Sequence, residues 1–471
     1  MKILLVNPGQ ELALTANNPA IIDKERGKNP PLGILCLAST IRQAARHQVD
    51  VVDLNLGEAQ IDDFKTLVRQ GGYQVLGVSV NTFTFFDGLK VIDSFRDVCP
   101  GGKVIAGGPH VAVYPRETVA LGVDVAVKRE GEIIINQVLD RIGEPEALHE
   151  VEGICFRLRD EIIDTGEGLV IEDLDSLPLP DRALLPYKKY YSLLGQDVYS
   201  TTIITSRGCP FPCAFCNRPA LGKKFRYHSS DYIINEILHC VQLGIREFLF
   251  YDDTFTVNRR RVMEVCDKIR ERGLRIRWDI RTRVDTVDEE MLRALKQAGC
   301  CAIHYGVESG SPDILGRLNK GITIDRVKEV FRMTKAVGMD TLAYFMVGNP
   351  GETDAHIEES VKLISQIDPD YLHLTIFVPF PATTLYREAL EKGIIKQDVY
   401  RQFAANPTRD FVPPIWNEHF TREQLQQIIK RVYRGFYMRP RYIFRRLRKL
   451  RSPAELRRKF KAGMSVMRMK D

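Results

Sequence analysis

The chain has 471 residues, of which 44% are hydrophobic and 27% are charged, the composition of a globular protein with about two or three domains. Its net charge of +6 is unevenly distributed. Residues 430–471 hold 16 basic and two acidic residues, whereas residues 1–429 carry a net charge of −8. No uninterrupted apolar run reaches the ~18 residues of a membrane span, and the N-terminal MKILLVNPG is too short for a signal peptide, so we expect neither.

Seven of the ten cysteines are scattered along the chain, and several lie on apolar segments, which favours buried free thiols over disulfides. This usage is typical of a reducing compartment, and we therefore expect a cytoplasmic protein. The seven are Cys36, Cys99, Cys155, Cys240, Cys266, Cys300 and Cys301.

Residues 1–142 alternate short apolar runs with amphipathic segments, a pattern that predicts a doubly wound α/β domain. In this fold the ligand lies at the carboxyl ends of the strands. We predict strands at Ile3 to Asn7, Val49 to Asp53, Val75 to Val80, Lys103 to Ala106 and Val123 to Val127, and helices near Ile34 to Ala45, Ile61 to Arg69, Phe86 to Val98 and Glu132 to Ile142.

Small residues and turn formers follow the predicted strands, among them Asn81-Thr82 and Gly107-Gly108-Pro109-His110. Glycine allows the backbone to approach a large flat ligand closely. Neither a G-x-G-x-x-G motif nor a P-loop is present, so the spacing alone leaves any nucleotide or flavin domain open.

Residues 143–198 are predicted to connect two domains. Gly153 to Arg159 and Glu167 to Glu172 have the pattern of a hairpin whose turn covers Asp160 to Thr165. The following Leu177-Pro178-Leu179-Pro180 enforces an extended crossing. A passive linker is the alternative interpretation.

Three cysteines fall within eight residues of the segment TSRGCPFPCAFCNRP, at the spacing Cys-x3-Cys-x2-Cys. Thiolates are the ligands of iron–sulfur clusters, and a cubane with three protein ligands keeps one iron open to a small molecule. Glycine and proline within the segment predict a loop. A structural zinc loop is the alternative, but zinc needs a fourth ligand nearby and the next histidine is the distant His228. The candidate ligands are Cys209, Cys213 and Cys216.

This loop resembles the signature of the radical S-adenosylmethionine (radical SAM) superfamily, in which an aromatic residue commonly precedes the third cysteine, as Phe215 does here. The resemblance implies a 4Fe-4S cluster whose open iron is chelated by S-adenosylmethionine (SAM). From residue 199 to 400 the strand–helix alternation resumes with six predicted units, which suits a partial (β/α)6 barrel whose strand carboxyl ends share one rim.

Polar motifs follow successive predicted barrel strands, and the resemblance implies that they contact SAM. Taken alone, each motif also has a purely structural explanation, since acidic residues after a strand often cap helices and Pro-Gly-Glu-Thr also forms a turn. The implied SAM-binding residues are Phe215, Asp252, Asp253, Arg281, Glu308, Ser309 and Gly348. The sixth strand ends with Ala382 where relatives usually carry glycine in Pro-Gly-Thr.

The order of motifs in residues 1–142 resembles the cobalamin-binding domain that precedes the cluster domain in one radical SAM branch. The chain lacks the Asp-x-His-x-x-Gly motif that supplies a histidine to cobalt. The resemblance therefore implies that the Asn81 to Phe86 loop meets the lower face of the corrin, with His110 as either an alternative ligand or a loop-shaping residue. The implied cobalamin-binding residues are Asn81, Thr82, Gly107, Gly108, His110 and Glu130.

Residues 401–471 depart from the alternation and end in a basic segment with apolar residues near helical spacing. A helical basic extension of this kind either packs on the barrel or lies on anionic lipid. No nucleic-acid recognition motif accompanies it. The apolar residues are Tyr433, Phe436, Tyr437, Ile443, Phe444, Leu447 and Leu450.

The resemblance predicts a radical SAM enzyme, first of all a cobalamin-dependent methyltransferase acting on an unactivated carbon of a small-molecule or lipid-like substrate, with a flavodoxin or ferredoxin as electron donor. A cyclase or rearrangement enzyme of the anaerobic porphyrin cyclase type is the alternative. A tRNA methylthiotransferase would need three more cysteines in the N-terminal domain, where we count Cys36 and Cys99. No catalytic acid or base is identified; His304 and Tyr305 alternate on one strand, so one of them faces the barrel interior.

Overall fold

The computed structural model describes residues 1–14, 27–57, 61–192, 195, 199–217, 222 and 224–448, which form two sheets of parallel or mostly parallel strands covered by helices. All ten cysteines lie among these residues and none is in a disulfide there, which for the seven scattered cysteines agrees with the prediction of free thiols. Among the described residues, none of the helices combines the length and apolar composition that a membrane span requires.

The N-terminal sheet has seven strands in the order β2-β1-β3-β4-β5-β6-β7. Its first five strands are parallel, and the central ones are buried on both faces because helices cover both sides. The strands are β1 (Lys2–Asn7), β2 (Gln48–Asp53), β3 (Val75–Ser79), β4 (Lys103–Gly107), β5 (Val125–Val127), β6 (Ile154–Leu158) and β7 (Glu161–Asp164).

Two separate apolar layers lie on the two faces of this sheet. One contains Ile34 and Val138 from the first and last helices of this domain, and the other contains Phe64 and Phe95 from its second and third helices. The predicted doubly wound fold is therefore confirmed. The helices are α1 (Leu32–Ala44), α2 (Ile61–Gly71), α3 (Phe85–Val98), α4 (Pro109–Val113), α5 (Pro115–Ala120) and α6 (Gly131–Arg141).

The predicted hairpin is present, but its second strand is β7 and not Glu167 to Glu172, which the sequence analysis proposed. The segment Glu161–Asp164 that we expected in the turn forms that strand, because Cys155 pairs with Asp164 in a tight register. Since β6 also pairs with β5, the hairpin extends the N-terminal sheet beyond residue 142.

The second sheet is an open barrel of six parallel strands in the order β15-β14-β13-β12-β11-β8, which confirms the predicted partial (β/α)6 architecture. Its strands are β8 (Thr201–Ile203), β11 (Glu247–Phe250), β12 (Arg277–Thr282), β13 (Cys300–Glu308), β14 (Asp340–Val347) and β15 (Tyr371–Ile376). Its helices are α7 (Ser230–Gln242), α8 (Arg259–Glu271), α9 (Glu289–Gln297), α10 (Pro312–Arg317), α11 (Ile324–Ala336), α12 (Asp354–Ile367) and α13 (Thr384–Glu391).

A two-stranded antiparallel pair, β9 (Ser206–Arg207) with β10 (Arg226–Tyr227), joins the two ends of the cysteine loop. Sequence analysis missed it, because two residues per strand carry no readable periodicity and the pairing is fixed by tertiary contacts. The cysteine loop itself contains no regular helix or strand among its described residues, as its glycine and prolines predict.

The C-terminal region adds α14 (Val399–Ala405), α15 (Arg422–Tyr437) and α16 (Pro440–Arg448). α15 covers the edge strand β15, where the hydroxyls of Tyr433 and Tyr437 accept hydrogen bonds from the amides of Leu374 and Leu372 at 2.9 and 3.0 Å. The edge is thereby prevented from pairing with another chain. The described part of the predicted tail contains helices as far as Arg448. The Leu447 side chain and residues 449–471, Leu450 among them, lie outside the described residues.

Candidate active site

The cysteine loop leaves the carboxyl end of β8 and carries three differently exposed thiols. Cys213 is buried, Cys209 is partly buried and Cys216 is exposed. Arg283 approaches the Cys213 sulfur with its Nη1 at 3.5 Å, and the Cys209 sulfur lies 3.8 Å from the Thr254 hydroxyl. A positively charged guanidinium therefore lies beside one of the three candidate iron ligands.

The donor set fits an iron–sulfur cluster by its chemistry. In the part of the chain that the structure describes, no three metal-ligating side chains are already gathered, so the three thiols share one loop without having converged. The zinc alternative gains no support from His228, whose ring stacks on Tyr232 at 3.8 Å and whose Nδ1 lies 3.2 Å from Asp175. His228 is therefore engaged in packing beneath the loop.

Asp252 follows β11 and is buried at the rim of the barrel. Its Oδ1 accepts hydrogen bonds from the Thr205 amide at 3.1 Å, the Thr205 hydroxyl at 2.8 Å and the Ser206 hydroxyl. Its Oδ2 is buried without a hydrogen-bond partner among the described residues. A buried carboxylate oxygen without a donor is costly unless a ligand satisfies it, so this atom fits a cationic ligand group. The neighbouring Asp253 is exposed.

Glu308 ends β13 in a strained conformation. Its φ is +72°, and the register shifts there between Gly306 and Glu308, which marks a β-bulge. The bulge turns the carboxylate towards Lys320, whose Nζ donates to it at 2.8 Å. Lys320 also lies 5.7 Å from the ring centre of Phe215. Two predicted SAM-binding residues, Phe215 and Glu308, are thus brought together by a lysine that the sequence analysis did not single out.

Ser309 and Gly348 shape the loops that carry them. The Ser309 hydroxyl lies 3.3 Å from that of Ser360 in α12, and Gly348 donates its amide to Glu352 at 2.6 Å. Only glycine fits at position 348, because its φ is +77° and because a Cβ there would lie 2.7 Å from Leu425. Burial raises the pKa of Glu352 to about 7 although its hydrogen bonds to Asn349 and Gly348 lower it. Contact of Ser309 or Gly348 with SAM stays a prediction.

Arg281 lies inside the barrel and connects the rim to the N-terminal domain. Its Nη1 donates to Asp279 at 2.8 Å and to the Phe250 carbonyl at 2.9 Å, and its guanidinium lies 3.6 Å from the ring centre of Tyr251. The Tyr251 hydroxyl in turn accepts a hydrogen bond at 3.1 Å from Asn29 of the N-terminal domain.

The barrel interior holds polar residues that sequence analysis missed or left open. His304, not Tyr305, faces inward, and its Nδ1 lies 3.3 Å from the Tyr344 hydroxyl. Burial, followed by the charge of Arg281, lowers the pKa of His304 well below its usual range. Burial also raises the pKa of Asp279 to about 6 against the lowering effect of Arg281. Strand alternation was the available signal, but it did not identify the inward face without the neighbouring strands.

A cavity of about 440 Å³ lies between the carboxyl edge of the N-terminal sheet and the barrel. Gly77 and Gly107 of β3 and β4 line it from one side, and Ile204, Arg207 and Tyr232 line it from the other. A Cβ added at Gly107 meets nothing closer than Val127 at 3.9 Å, so a side chain there has room and would project into the cavity. The largely apolar, glycine-lined space fits the tail of a large organic cofactor.

The predicted corrin-facing loop is built around His110. Asn81 caps the loop by accepting hydrogen bonds from the amides of Phe83 and Thr84, and the Thr82 hydroxyl lies 3.1 Å from His110 Nδ1. His110 itself is buried, with its ring 4.2 Å from that of Phe85. Burial lowers its pKa to about 4. This enclosure favours the loop-shaping interpretation of His110.

Gly108 and Glu130 are placed beside the same cavity. Gly108 has a φ of +108°, and a Cβ there would lie 2.7 Å from the Val80 carbonyl oxygen, so only glycine fits. Glu130 is buried and bonded to Arg226 and to the Ile171 amide. Binding of cobalamin by these individual residues stays a prediction.

Comparison with known proteins places this geometry in a class. Residues 203–364 match the family model of the radical SAM superfamily, and residues 19–139 match that of the B12 binding domain. The chain is thus a radical SAM enzyme with a 4Fe-4S cluster, SAM and cobalamin as cofactors, as the sequence predicts. It belongs to the cobalamin-binding branch of the radical SAM superfamily.

Two curated relatives and one solved structure illustrate the match. The uncharacterized methyltransferase PH0819 of Pyrococcus horikoshii is 31% identical over 452 residues, which cover 94% of both chains. The anaerobic magnesium-protoporphyrin IX monomethyl ester cyclase of Cereibacter sphaeroides is 27% identical over 425 residues, covering 88% of this chain and 68% of the cyclase. The cobalamin-dependent radical enzyme OxsB, solved with aqua-cobalamin and SAM, shares the fold with a TM-score of 0.75 at 16% identity, covering 99% of this chain and 72% of OxsB.

Proposed function

We propose that this protein is a cobalamin-dependent radical SAM methyltransferase that transfers a methyl group to an unactivated carbon of a small-molecule or lipid-like substrate. One observation carries the proposal: Ile204 and Arg207, which lead from β8 into the cysteine loop, also line the glycine-containing cavity of the N-terminal domain. When bound, the cofactors supply a 5′-deoxyadenosyl radical and a transferable methyl group, which must act on one substrate carbon.

The rim residues provide the binding and orientation that this chemistry needs. Cys209, Cys213 and Cys216 would hold the cluster, and Arg283 beside Cys213 offsets their negative charge. The buried Asp252 Oδ2 is positioned to accept hydrogen bonds from the ammonium group of SAM.

The polar residues of the barrel interior would hold the substrate from below. His304 Nε2 is buried without a hydrogen-bond partner in the described residues and lies 3.8 Å from Asp279 Oδ2. Because burial keeps His304 neutral, it is able to donate or accept a hydrogen bond from a polar substrate group without changing charge.

A cyclase or rearrangement enzyme is the second candidate, supported by the 27% identity to the anaerobic porphyrin-type cyclase over 88% of the chain. The methylthiotransferase alternative is supported over a shorter stretch, by a putative methylthiotransferase of Methanocaldococcus jannaschii that is 28% identical over 306 residues, covering 63% of this chain and 65% of that protein. Cys36, Cys99 and Cys155 all lie in the N-terminal sheet domain, but among the described residues they are not gathered into a metal-binding group.

The two candidates differ in the fate of the SAM methyl group. We would first reconstitute the protein anaerobically with iron, sulfide and hydroxocobalamin. The reaction would then receive methyl-labelled SAM, a low-potential reductant and small-molecule extracts. The quantities measured would be 5′-deoxyadenosine, S-adenosylhomocysteine and labelled products. Methyl transfer predicts both nucleosides and label in a new product. Formation of 5′-deoxyadenosine and an unlabelled new product supports the cyclase, whereas absence of 5′-deoxyadenosine contradicts both candidates.

We further propose that a flavodoxin or ferredoxin donates the electron and that the basic C-terminal region rests on an anionic membrane surface inside the cytoplasm. α16 exposes Ile443 and Phe444, the latter 57% exposed, next to the exposed Arg441. Arg445 of this helix pairs with Asp368, just before β15, so α16 lies at the amino end of the strands and the rim would face away from the bilayer. Sedimentation with phosphatidylglycerol vesicles tests this contact; an Ile443→Ser/Phe444→Ser variant should bind less, and equal binding to phosphatidylcholine vesicles would contradict it.

A further inference from the structure

The strand pair β9–β10 joins the two ends of the cysteine loop, because β9 ends at Arg207 and β10 begins at Arg226. In the antiparallel register these two arginines lie directly opposite each other. Like charges in that position destabilise a strand pair. The closure of the loop therefore depends on acidic groups from outside the pair.

Both acidic groups come from the N-terminal domain, at the start of α6. Arg226 donates two hydrogen bonds to Glu130, at 2.9 and 2.6 Å, and the two side chains are 2% and 3% exposed. Arg207 donates to Glu132 at 2.6 Å and lies 3.6 Å from Glu130. These four residues, which we call the ion clasp, attach the base of the cysteine loop to the cobalamin-binding domain.

Glu130, the more deeply buried acid of the clasp, stays ionised. Burial would raise the pKa of Glu130, but the hydrogen bonds from Arg226 and the Ile171 amide, together with the charge of Arg207, hold that pKa below its usual value. Removing one partner of such a buried pair leaves an uncompensated charge, so the clasp closes or opens as a unit.

The clasp also forms part of the cavity wall, because Arg207, Glu130 and Glu132 line the cavity. Water in the cavity screens the attraction between Arg207 and Glu132, whereas an organic occupant displaces that water and lowers the local dielectric constant. A filled cavity therefore strengthens the attachment of β9 to α6 and restrains the loop that β9 and β10 enclose.

We propose that the ion clasp couples the two cofactor sites, so that filling the cavity restrains the β9–β10 pair and assembly of the cluster tightens binding in the cavity. The inference rests on the proposed assignment of the cavity to cobalamin. Glu130, Glu132, Arg207 and Arg226 act as positioning residues through the loop. Thermodynamic linkage requires the coupling to be equal in both directions.

The coupling is measured as a ratio of two affinities for hydroxocobalamin, one with cluster-free protein and one with cluster-reconstituted protein, by anaerobic equilibrium dialysis. For the wild type we expect about tenfold tighter binding with the cluster present. Glu132→Gln should bring the ratio close to one. Glu150→Gln, which removes the exposed partner of Arg141, is the matched control and should keep the wild-type ratio.

A second readout is independent of the cluster. Addition of hydroxocobalamin to cluster-free wild type should slow amide hydrogen exchange in residues 201–207, and Arg207→Lys, which keeps the positive charge, should retain part of this protection. Equal wild-type affinities with and without the cluster, or an unchanged ratio in Glu132→Gln, would overturn the coupling while leaving the cobalamin assignment intact. Failure of wild type to bind hydroxocobalamin in either state would overturn the assignment itself.

Discussion

The carboxyl edges of the two sheets differ in what they offer a cofactor. At the N-terminal edge, the missing side chain of Gly107 leaves room within a largely apolar cavity. The barrel instead retains buried polar atoms without partners in the described residues, Asp252 Oδ2 and Asn349 Oδ1 at the rim and His304 Nε2 in the interior. The comparison teaches that a bulky tail is accommodated by space, whereas a small charged cofactor is held by polar groups whose burial costs free energy until it binds.

The sharpest test of the rim is removal of one thiol. Cys213→Ala should abolish cluster binding and reduce SAM cleavage by at least roughly 10,000-fold, because an iron loses one of its few protein ligands. Iron content and 5′-deoxyadenosine formation measure the two effects. Cys240→Ala, which removes a buried thiol from the barrel core, should keep both. Full cluster loading in the Cys213 variant would show that the loop is not the iron site.

The N-terminal edge is tested by filling its space. Gly107→Leu should weaken hydroxocobalamin binding on the order of 1,000-fold, or about 4 kcal/mol, since the added side chain projects into the cavity. The cluster should still assemble, because the rim is unchanged. Gly101→Ala, at a turn with open space around it, is the control and should bind normally. Unchanged affinity in the leucine variant would place the cofactor elsewhere.

Burial of an acidic side chain at the rim should make the free energy of unfolding depend on pH. Burial raises the pKa of Glu352 from 4.5 to about 7, so the folded state keeps a proton that the unfolded state loses between those values. The free energy of unfolding should therefore fall as pH rises through this window, by up to about 3 kcal/mol from this group. Urea unfolding of Glu352→Gln should lack that decrease. An exposed-site control, Glu146→Gln, should keep the wild-type slope, and identical slopes in all three proteins would contradict the assignment.

A smaller effect is expected from backbone strain next to the rim. Ala382 has a φ of +63°, a conformation that glycine adopts without steric cost. Ala382→Gly should raise the free energy of unfolding by about 0.5–1 kcal/mol after the larger unfolded-state entropy of glycine is included. Ala355→Gly in α12 should have the opposite sign. Destabilisation by both substitutions would mean that the strain at Ala382 is compensated.

Sequence reasoning located both sheets and the cysteine loop because strand–helix alternation and thiol spacing are local signals. It missed β9–β10 and placed the second strand of the hairpin at Glu167 to Glu172, since both depend on pairing partners that the local pattern does not specify. The acidic residues after β11 and β13 were found by their position at strand ends. Lys320 was not found, because its contact with Glu308 depends on a β-bulge that the local sequence pattern does not predict.

The glycines that follow the strands of the N-terminal sheet predicted a ligand site there. The residues that line this cavity from the barrel domain were not predicted. Tyr232 and Arg207 reach the cavity from the barrel domain, which requires knowledge of how the two domains dock. The same holds for the ion clasp, in which Glu130 meets a residue 96 positions later in the chain.

One contact links the end of the chain to its beginning. Phe403 of α14 belongs to the same apolar layer as Phe85 and Phe95 of the N-terminal domain and lies 5.8 Å from the Phe85 ring. On a translating ribosome, that layer therefore stays unfinished while the whole barrel is synthesised, a delay of roughly 15–50 s at ordinary elongation rates. We therefore expect a nascent chain that ends before α14 to leave part of this apolar layer uncovered.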